Sequence, residues 1–269
     1  MQVNWKKIGQ WIKWLALAYG LTGIIIYYIQ DYFFFQATPL RRDHQYNFSI
    51  PFREVNIAYT LDQNLNIIQF ETDKPPAGVV LYFHGNRKNI SWYARFAPMF
   101  TSHGYEVWML DYPGYGKSTG KITEATLFDY ASQLYKLAAK KYGADSIIIF
   151  GKSMGTGIAA NLASHTACKK VILETPYYSL SSVAAHFFPI YPMEQMTRIR
   201  IPAWEYLQHI RAPVSILHGT DDRVIPFSNA ERLIPYLKPG DEFITIPGGS
   251  HSNLRKFPLF THKIDSLLN

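Results

Sequence analysis

Two serines in this chain stand in a Gly-x-Ser-x-Gly frame: Ser118 in Gly116-Lys117-Ser118-Thr119-Gly120, and Ser153 in Gly151-Lys152-Ser153-Met154-Gly155. A serine hydroxyl is a weak nucleophile alone; it needs a base to take its proton and an acid to hold that base. The frame creates such a nucleophile only where a strand runs into the serine and a helix leaves it. Ser153 meets that condition, with Ile147-Ile148-Ile149-Phe150 before it and Gly155-Thr156-Gly157-Ile158-Ala159-Ala160 after it. Ser118 follows Asp111-Tyr112-Pro113-Gly114-Tyr115, a loop composition, and Gly120 leads only to a helix cap at Thr123. Ser153 is the expected nucleophile and Ser118 a structural serine.

The base is sought among nine histidines. His251, in Gly248-Gly249-Ser250-His251-Ser252, directly follows the last apolar strand and precedes the last helix, an exposed loop placement suited to function. His84 and His218 each begin a His-Gly pair at a strand end and read as turn or packing residues. The acid is expected after the strand Val214–Leu217, where Asp222 is preferred, Asp221 is its neighbouring rival and Glu174 is a third choice.

Two other readings of the same glycines fail on spacing. A phosphate-binding loop ending at Gly151-Lys152-Ser153 needs glycine where Ser146 stands, and one ending at Gly116-Lys117-Ser118 needs it at Asp111. Gly155-Thr156-Gly157 loosely fits a dinucleotide fingerprint, but its first glycine falls inside the expected helix, past the strand-to-phosphate turn.

These residues require a scaffold that delivers them to one side. Strand patterns at 79–83, 106–110, 146–150, 171–173, 214–217 and 243–246 alternate with helical ones at 125–142, 154–164, 228–237 and 255–268. Short β-rich stretches at 46–50, 53–59 and 66–71 come first. The alternation predicts an α/β fold, a mostly parallel sheet with helices on both faces. Residues 176–212 are too long for a simple connection and read as a small helical lid over one edge of the sheet. Its aromatics (Tyr177, Tyr178, Phe187, Phe188, Tyr191, Trp204) suit an apolar acyl group or plain packing.

With 269 residues, 48% hydrophobic and 17% charged, the chain has the composition of one large globular domain and not of a disordered protein. The single cysteine, Cys168, excludes an intrachain disulfide and a cysteine-rich zinc site. The net charge of +7 is spread in pairs such as Arg41-Arg42 and Lys140-Lys141, without the stripe a nucleic acid needs; an anionic membrane surface uses it more simply. Trp14 to Gln30 carries no charge, is flanked by Trp5, Trp11 and Trp14 on one side and Tyr27, Tyr28 and Tyr32 on the other, and reads as an uncleaved spanning helix. Lys6, Lys7 and Lys13 before it predict a cytoplasmic amino terminus and an extracytoplasmic catalytic domain. The expected organisation is an anchor over 1–35 and a hydrolytic domain over 36–269.

Five landmarks in one order, His84-Gly85-Asn86, Asp111–Ser118, Gly151–Gly155, His218–Pro226 and His251, resemble those of the α/β-hydrolase superfamily over about residues 46–269. The order Ser153, Asp222, His251 is that of α/β-hydrolases. Within the superfamily the chain is most similar to short-lid, membrane-anchored hydrolases, a group that includes palmitoyl-thioesterases. The resemblance implies an α/β-hydrolase fold and a serine hydrolase of the esterase, thioesterase or lipase kind. It implies catalysis by Ser153, Asp222 and His251, and an oxyanion hole from the backbone N–H groups of Asn86 and Met154. No metal or organic cofactor is implied; the expected partners are the bilayer and an acyl-ester or thioester substrate, with no nucleic acid. The alternatives are a non-catalytic binding or scaffold protein on the same fold, and a peptidase- or amidase-type hydrolase.

Overall fold

The computed structural model describes residues 4–60 and 63–269. It begins with a 30-residue helix, α1 (Trp5–Phe34), followed by β1 (Gln36–Ala37), β2 (Phe52–Ala58), β3 (Asn64–Phe70), β4 (Gly78–Phe83) and β5 (Arg87–Lys88). The short helices α2 (Ile90–Tyr93) and α3 (Pro98–Thr101) lead to β6 (Tyr105–Leu110), α4 (Glu124–Ala139), β7 (Ile147–Lys152), α5 (Met154–His165) and β8 (Lys170–Glu174). The excursion holds α6 (Leu180–Phe187), α7 (Met193–Met196) and α8 (Ala203–Leu207); the chain ends with β9 (Val214–Gly219), α9 (Phe227–Ala230), β10 (Glu242–Ile246) and α10 (Pro258–Leu268).

Eight strands form one sheet in the order β10-β9-β8-β7-β4-β6-β3-β2. Only the β2–β3 and β3–β6 pairs are antiparallel. The buried apolar runs of β4, β6 and β7 have no solvent face, because α4 and α5 cover one side and α2, α3 and α10 the other. Crossovers of this kind bring the carboxyl ends of β4, β7, β8, β9 and β10 to the same edge, where a doubly covered sheet leaves room for a ligand. Helix α4 starts at the Thr123 cap, whose side chain accepts from the Thr126 N–H at 3.1 Å.

Two sequence expectations change. Residues 46–50 form no strand: Tyr46 stacks on Phe48, which packs edge-on against Phe52 and Phe70, so alternation there reflects ring packing instead of sheet pairing. The helix expected over 228–237 is one turn of α-helix followed by a 3-10 helix, Glu231–Tyr236, because Pro235 cannot continue an α-helical ladder. The lid leaves between β8 and β9, neighbouring interior strands, and lies over the edge formed by their carboxyl ends, against α5 and a cavity there.

Among the described residues α1 is the one helix long and apolar enough to cross a membrane. Trp5, Trp11 and Trp14 are 65–76% exposed, and Tyr28 and Tyr32 at the other end are also open. A buried core helix would hide such rings. Its 30 residues span about 45 Å, more than a hydrocarbon layer of about 30 Å.

Candidate active site

Ser153 sits between β7 and α5 with φ of 51°, a left-handed conformation that an L-residue adopts only where its surroundings impose it. Three features impose it here. The Ser153 N–H donates to the Glu174 carbonyl of β8 at 2.9 Å, the Ser153 carbonyl accepts from the Thr156 hydroxyl at 2.6 Å, and α5 starts at the next residue. Gly155 lets that helix start so close to β4: a Cβ there would meet the Phe83 carbonyl oxygen at 2.1 Å. The turn therefore needs glycine for contact, and the serine is left projecting above the sheet.

The His251 and Asp222 loops follow β10 and β9, and these strands pair in parallel. Beyond them the Asp221 N–H donates to the Gly249 carbonyl at 2.9 Å, and a Cβ on Gly219 would clash with that same carbonyl. This close approach sets the two side chains in line. His251 Nε2 is 2.9 Å from Ser153 Oγ, and His251 Nδ1 is 2.8 Å from Asp222 Oδ2. The carboxylate accepts, so Nδ1 carries the proton and Nε2 is free to accept from the serine hydroxyl. The other Asp222 oxygen accepts from the N–H groups of Val224 at 2.8 Å and Ile225 at 2.9 Å. Burial alone would push the Asp222 carboxyl up, but the hydrogen bond and charge of His251, aided by the Ile225 N–H, hold it below its ordinary value.

The rivals are placed elsewhere. Asp221 is exposed and accepts from the Thr220 hydroxyl at 3.0 Å. Ser118 is buried against β3, where its Oγ accepts from the Asn66 N–H at 2.9 Å. His218 is fully buried, and burial pushes its pKa down against the pull of Asp222, whose carboxylate lies 3.7 Å away. His84 is also fully buried; its Nδ1 lies 2.7 Å from the Gly85 carbonyl and its Nε2 lies 3.3 Å from Asp111. It fastens the loop carrying Asn86.

That loop faces Ser153: a Cβ on Gly85 would lie 3.5 Å from Ser153 Cβ. The Asn86 carbonyl accepts from the Tyr115 hydroxyl at 2.7 Å and from the Gln36 N–H at 2.9 Å, which fixes the Asn86–Arg87 peptide of the loop. Asn86 and Met154 line a cavity of about 560 Å³ together with Ser153 and His251. Its remaining wall is largely apolar and includes Leu180, Val183 and Phe187 of the lid. Such a volume falls in the range of small-molecule sites. Of the other lid aromatics, Tyr177 is buried with its hydroxyl donating to the Met154 carbonyl at 3.1 Å, and Tyr178 stacks on Trp204. Tyr178 and Trp204 are packing residues, while Tyr177 also lines the cavity.

A buried ion cluster under the elbow was not legible from the linear sequence. Lys152 and Glu174 are register partners on β7 and β8, and their side chains pair directly; Arg255 reaches Glu174 from the other side at 3.0 Å. Glu174, weighed above as an acid, is thus committed to structure. Lys152 also approaches the His251 carbonyl at 3.4 Å, so the cluster ties β7 to the loop carrying His251. The available signal was a lysine and a glutamate at the ends of adjacent buried strands, where neither charge is tolerated alone. Burial would push the Glu174 carboxyl up, but Arg255 and Lys152 outweigh it and bring it from 4.5 to about 2. Its folded pKa is depressed, so its stabilisation is complete above pH 4.5 and is lost as the pH falls toward 2. Glu174→Gln leaves two buried cations without a counter-charge and is expected to destabilise the fold by about 3–5 kcal/mol at neutral pH. Denaturant unfolding of the full-length protein checks this; unchanged stability would contradict it.

A sheet with this order, Ser153 on the β7–α5 turn and Asp222 and His251 on the β9 and β10 loops define the α/β-hydrolase fold. The chain has the α/β-hydrolase fold, and a family match, curated relatives and solved structures of α/β-hydrolases are similar to it. The family model described as serine aminopeptidase, S33, matches residues 74–191. The chain is 28% identical over 176 residues to an uncharacterised Mycobacterium tuberculosis protein, covering 65% of this chain and 63% of that one. It is 27% identical over 195 residues to alpha/beta hydrolase domain-containing protein 17C of Xenopus tropicalis, covering 71% and 61%. The chain thus spans about three-fifths of the length of the curated relatives it matches. A Pyrococcus furiosus esterase superposes with a TM-score of 0.68 at 18% identity, covering 87% of this chain and 96% of that one. A cold-adapted esterase from an Arctic intertidal metagenomic library superposes with a TM-score of 0.63 at 15% identity, covering 85% and 97%.

Proposed function

We propose that this protein is a membrane-anchored serine hydrolase that cleaves ester or thioester bonds of apolar acyl substrates through an acyl-enzyme. The observation that carries the reading is the continuous hydrogen-bonded line from Ser153 through His251 to Asp222 on the wall of a mainly apolar cavity. Ser153 Oγ attacks the acyl carbonyl carbon as its proton passes to His251 Nε2. The N–H groups of Asn86 and Met154 hold the oxyanion, each such donor being worth about 3 kcal/mol in the transition state. His251 then protonates the departing alcohol or thiol, and water repeats the sequence to release the acid and regenerate the serine. Asp222 keeps the imidazole in the required tautomer and stabilises its charge.

The aminopeptidase reading is less well supported. Recognition of a substrate amino terminus calls for a carboxylate, and no Asp or Glu is among the described residues lining the cavity, whereas Arg87, Lys88 and Lys152 are. The full-length protein in detergent is expected to hydrolyse acyl esters and thioesters, with longer chains favoured over acetyl. A folded protein that hydrolyses none of them would contradict the reading and support a binding or scaffold role. The same reading places α1 in the bilayer with the catalytic domain outside the cytoplasm. It predicts that the protein resists carbonate extraction, that Leu21→Arg with Ile25→Arg releases it, and that a carboxyl-terminal tag is protease-accessible in intact cells.

A further inference from the structure

The anchoring helix is also part of the cavity. Phe33 and Phe34 from the last turn of α1, and Gln36 from β1, line the same space as Ser153 and His251. A tether need only hold, yet α1 is fastened along a stripe. Ile26, Gln30 and Phe34 are its buried residues, spaced four apart on one face. Gln30 donates to the Met196 carbonyl at 3.2 Å and accepts from the Arg198 N–H at 2.8 Å, while Asp31 pairs with Arg198 at 2.7 Å. Farther toward the amino terminus, the Tyr19 ring stacks on Tyr191 with centroids 4.6 Å apart. The Tyr19 hydroxyl donates to the Ile190 carbonyl at 2.9 Å, and that of Tyr191 to the Tyr19 carbonyl at 3.1 Å.

These contacts fix the level of the lid. Tyr19 lies eleven residues before Gln30, where the charge-free run ends on the side of the domain, about 17 Å by helical rise. The lid tip therefore lies beside the apolar run of α1 instead of beyond its end. It presents apolar surface there, with Phe187 41% and Ile190 70% exposed. Phe187 also packs edge-on against Phe33, with centroids 5.4 Å apart. The ion pair of Asp31 with Arg198 stands where the charge-free run stops. An apolar path thus leads from the lid tip, past Phe187 and Phe33, to the wall of the cavity holding Ser153.

The geometry points to a bilayer-facing acyl subsite with Phe33 and Phe34 as one wall and Leu180, Val183 and Phe187 as the other. Its occupant is the acyl chain of a membrane-borne ester or thioester, which reaches Ser153 without crossing water. Each methylene exposed on an aqueous route would carry a hydration cost that this path avoids. The identity of the bond cleaved rests on the hydrolase reading; occupancy of the subsite does not.

Full-length protein in phosphatidylcholine vesicles is given p-nitrophenyl acetate, which is soluble, and p-nitrophenyl palmitate, which partitions into the bilayer. Phe33→Ala and Ile190→Glu are each expected to lower the palmitate-to-acetate ratio of kcat/KM by about ten-fold. Ile25→Ala, on the exposed face of α1, leaves the ratio unchanged. An unaltered ratio in both of the first two variants would overturn the subsite. In a second arm, Ser153→Ala protein is photolysed with a diazirine palmitate. Crosslinks are expected at Leu180 and Val183, which are buried and reached through the cavity, as well as at Phe33. Crosslinks confined to the exposed face between Leu15 and Ile25 would overturn it. Crosslinking at Leu180 and Val183 without hydrolysis of either ester keeps the subsite and removes the hydrolase reading. Hydrolysis with no crosslink there and no change in the ratio does the reverse.

Discussion

Ser153→Ala is expected to lower ester turnover by at least about 10⁴-fold, while Ser118→Ala retains most of it. The two serines share a sequence frame but not an environment. Ser153 alone stands on a strand-to-helix turn with positive φ, 2.9 Å from an imidazole nitrogen. Ser118 accepts from a backbone N–H of β3 inside the fold, so its loss costs about 1 kcal/mol of stability and leaves the reacting groups in place. Steady-state kinetics on both variants, with unfolding curves to separate stability from chemistry, distinguish the two roles. An inactive but folded Ser118→Ala beside an active Ser153→Ala would reverse the assignment.

Asp222→Asn is expected to cost about 10⁴-fold in turnover with little change in KM, because an amide can donate to Nδ1 and stabilise the wrong tautomer of His251. Asp221→Asn is expected to leave turnover near that of the parent protein, since Asp221 is exposed and bonds only the Thr220 hydroxyl among the described side chains. The same kinetics check it. Equal losses in the two folded variants would mean that the acid acts through its loop and not through the imidazole.

The strands and helices around Ser153 were legible because β7 is a continuous apolar run and α5 opens with small residues, local properties that packing did not override. The placement of His251 and Asp222 was readable from their positions after β10 and β9, since parallel crossovers deliver strand ends to one edge. Less was readable where a residue's role depends on a distant partner. Glu174 stood after a strand as an acid should, and only the register of β7 against β8 reveals its commitment to Lys152. Tyr46 and Phe48 alternate like a strand but find rings instead of backbone partners. In α1, hydropathy marks an apolar helix, yet nothing local indicates that Gln30 meets Met196 and Arg198 or that Phe33 faces the cavity. The Gln30 contacts join residues more than 160 positions apart.

The most direct measurement of the central claim is the site of covalent modification by a fluorophosphonate probe on the full-length protein, located by peptide mass spectrometry. The Ser153–His251–Asp222 line predicts one modified peptide, carrying Ser153, with labelling abolished in Ser153→Ala and retained in Ser118→Ala. Modification at Ser118, or no modification of the folded protein, would contradict it.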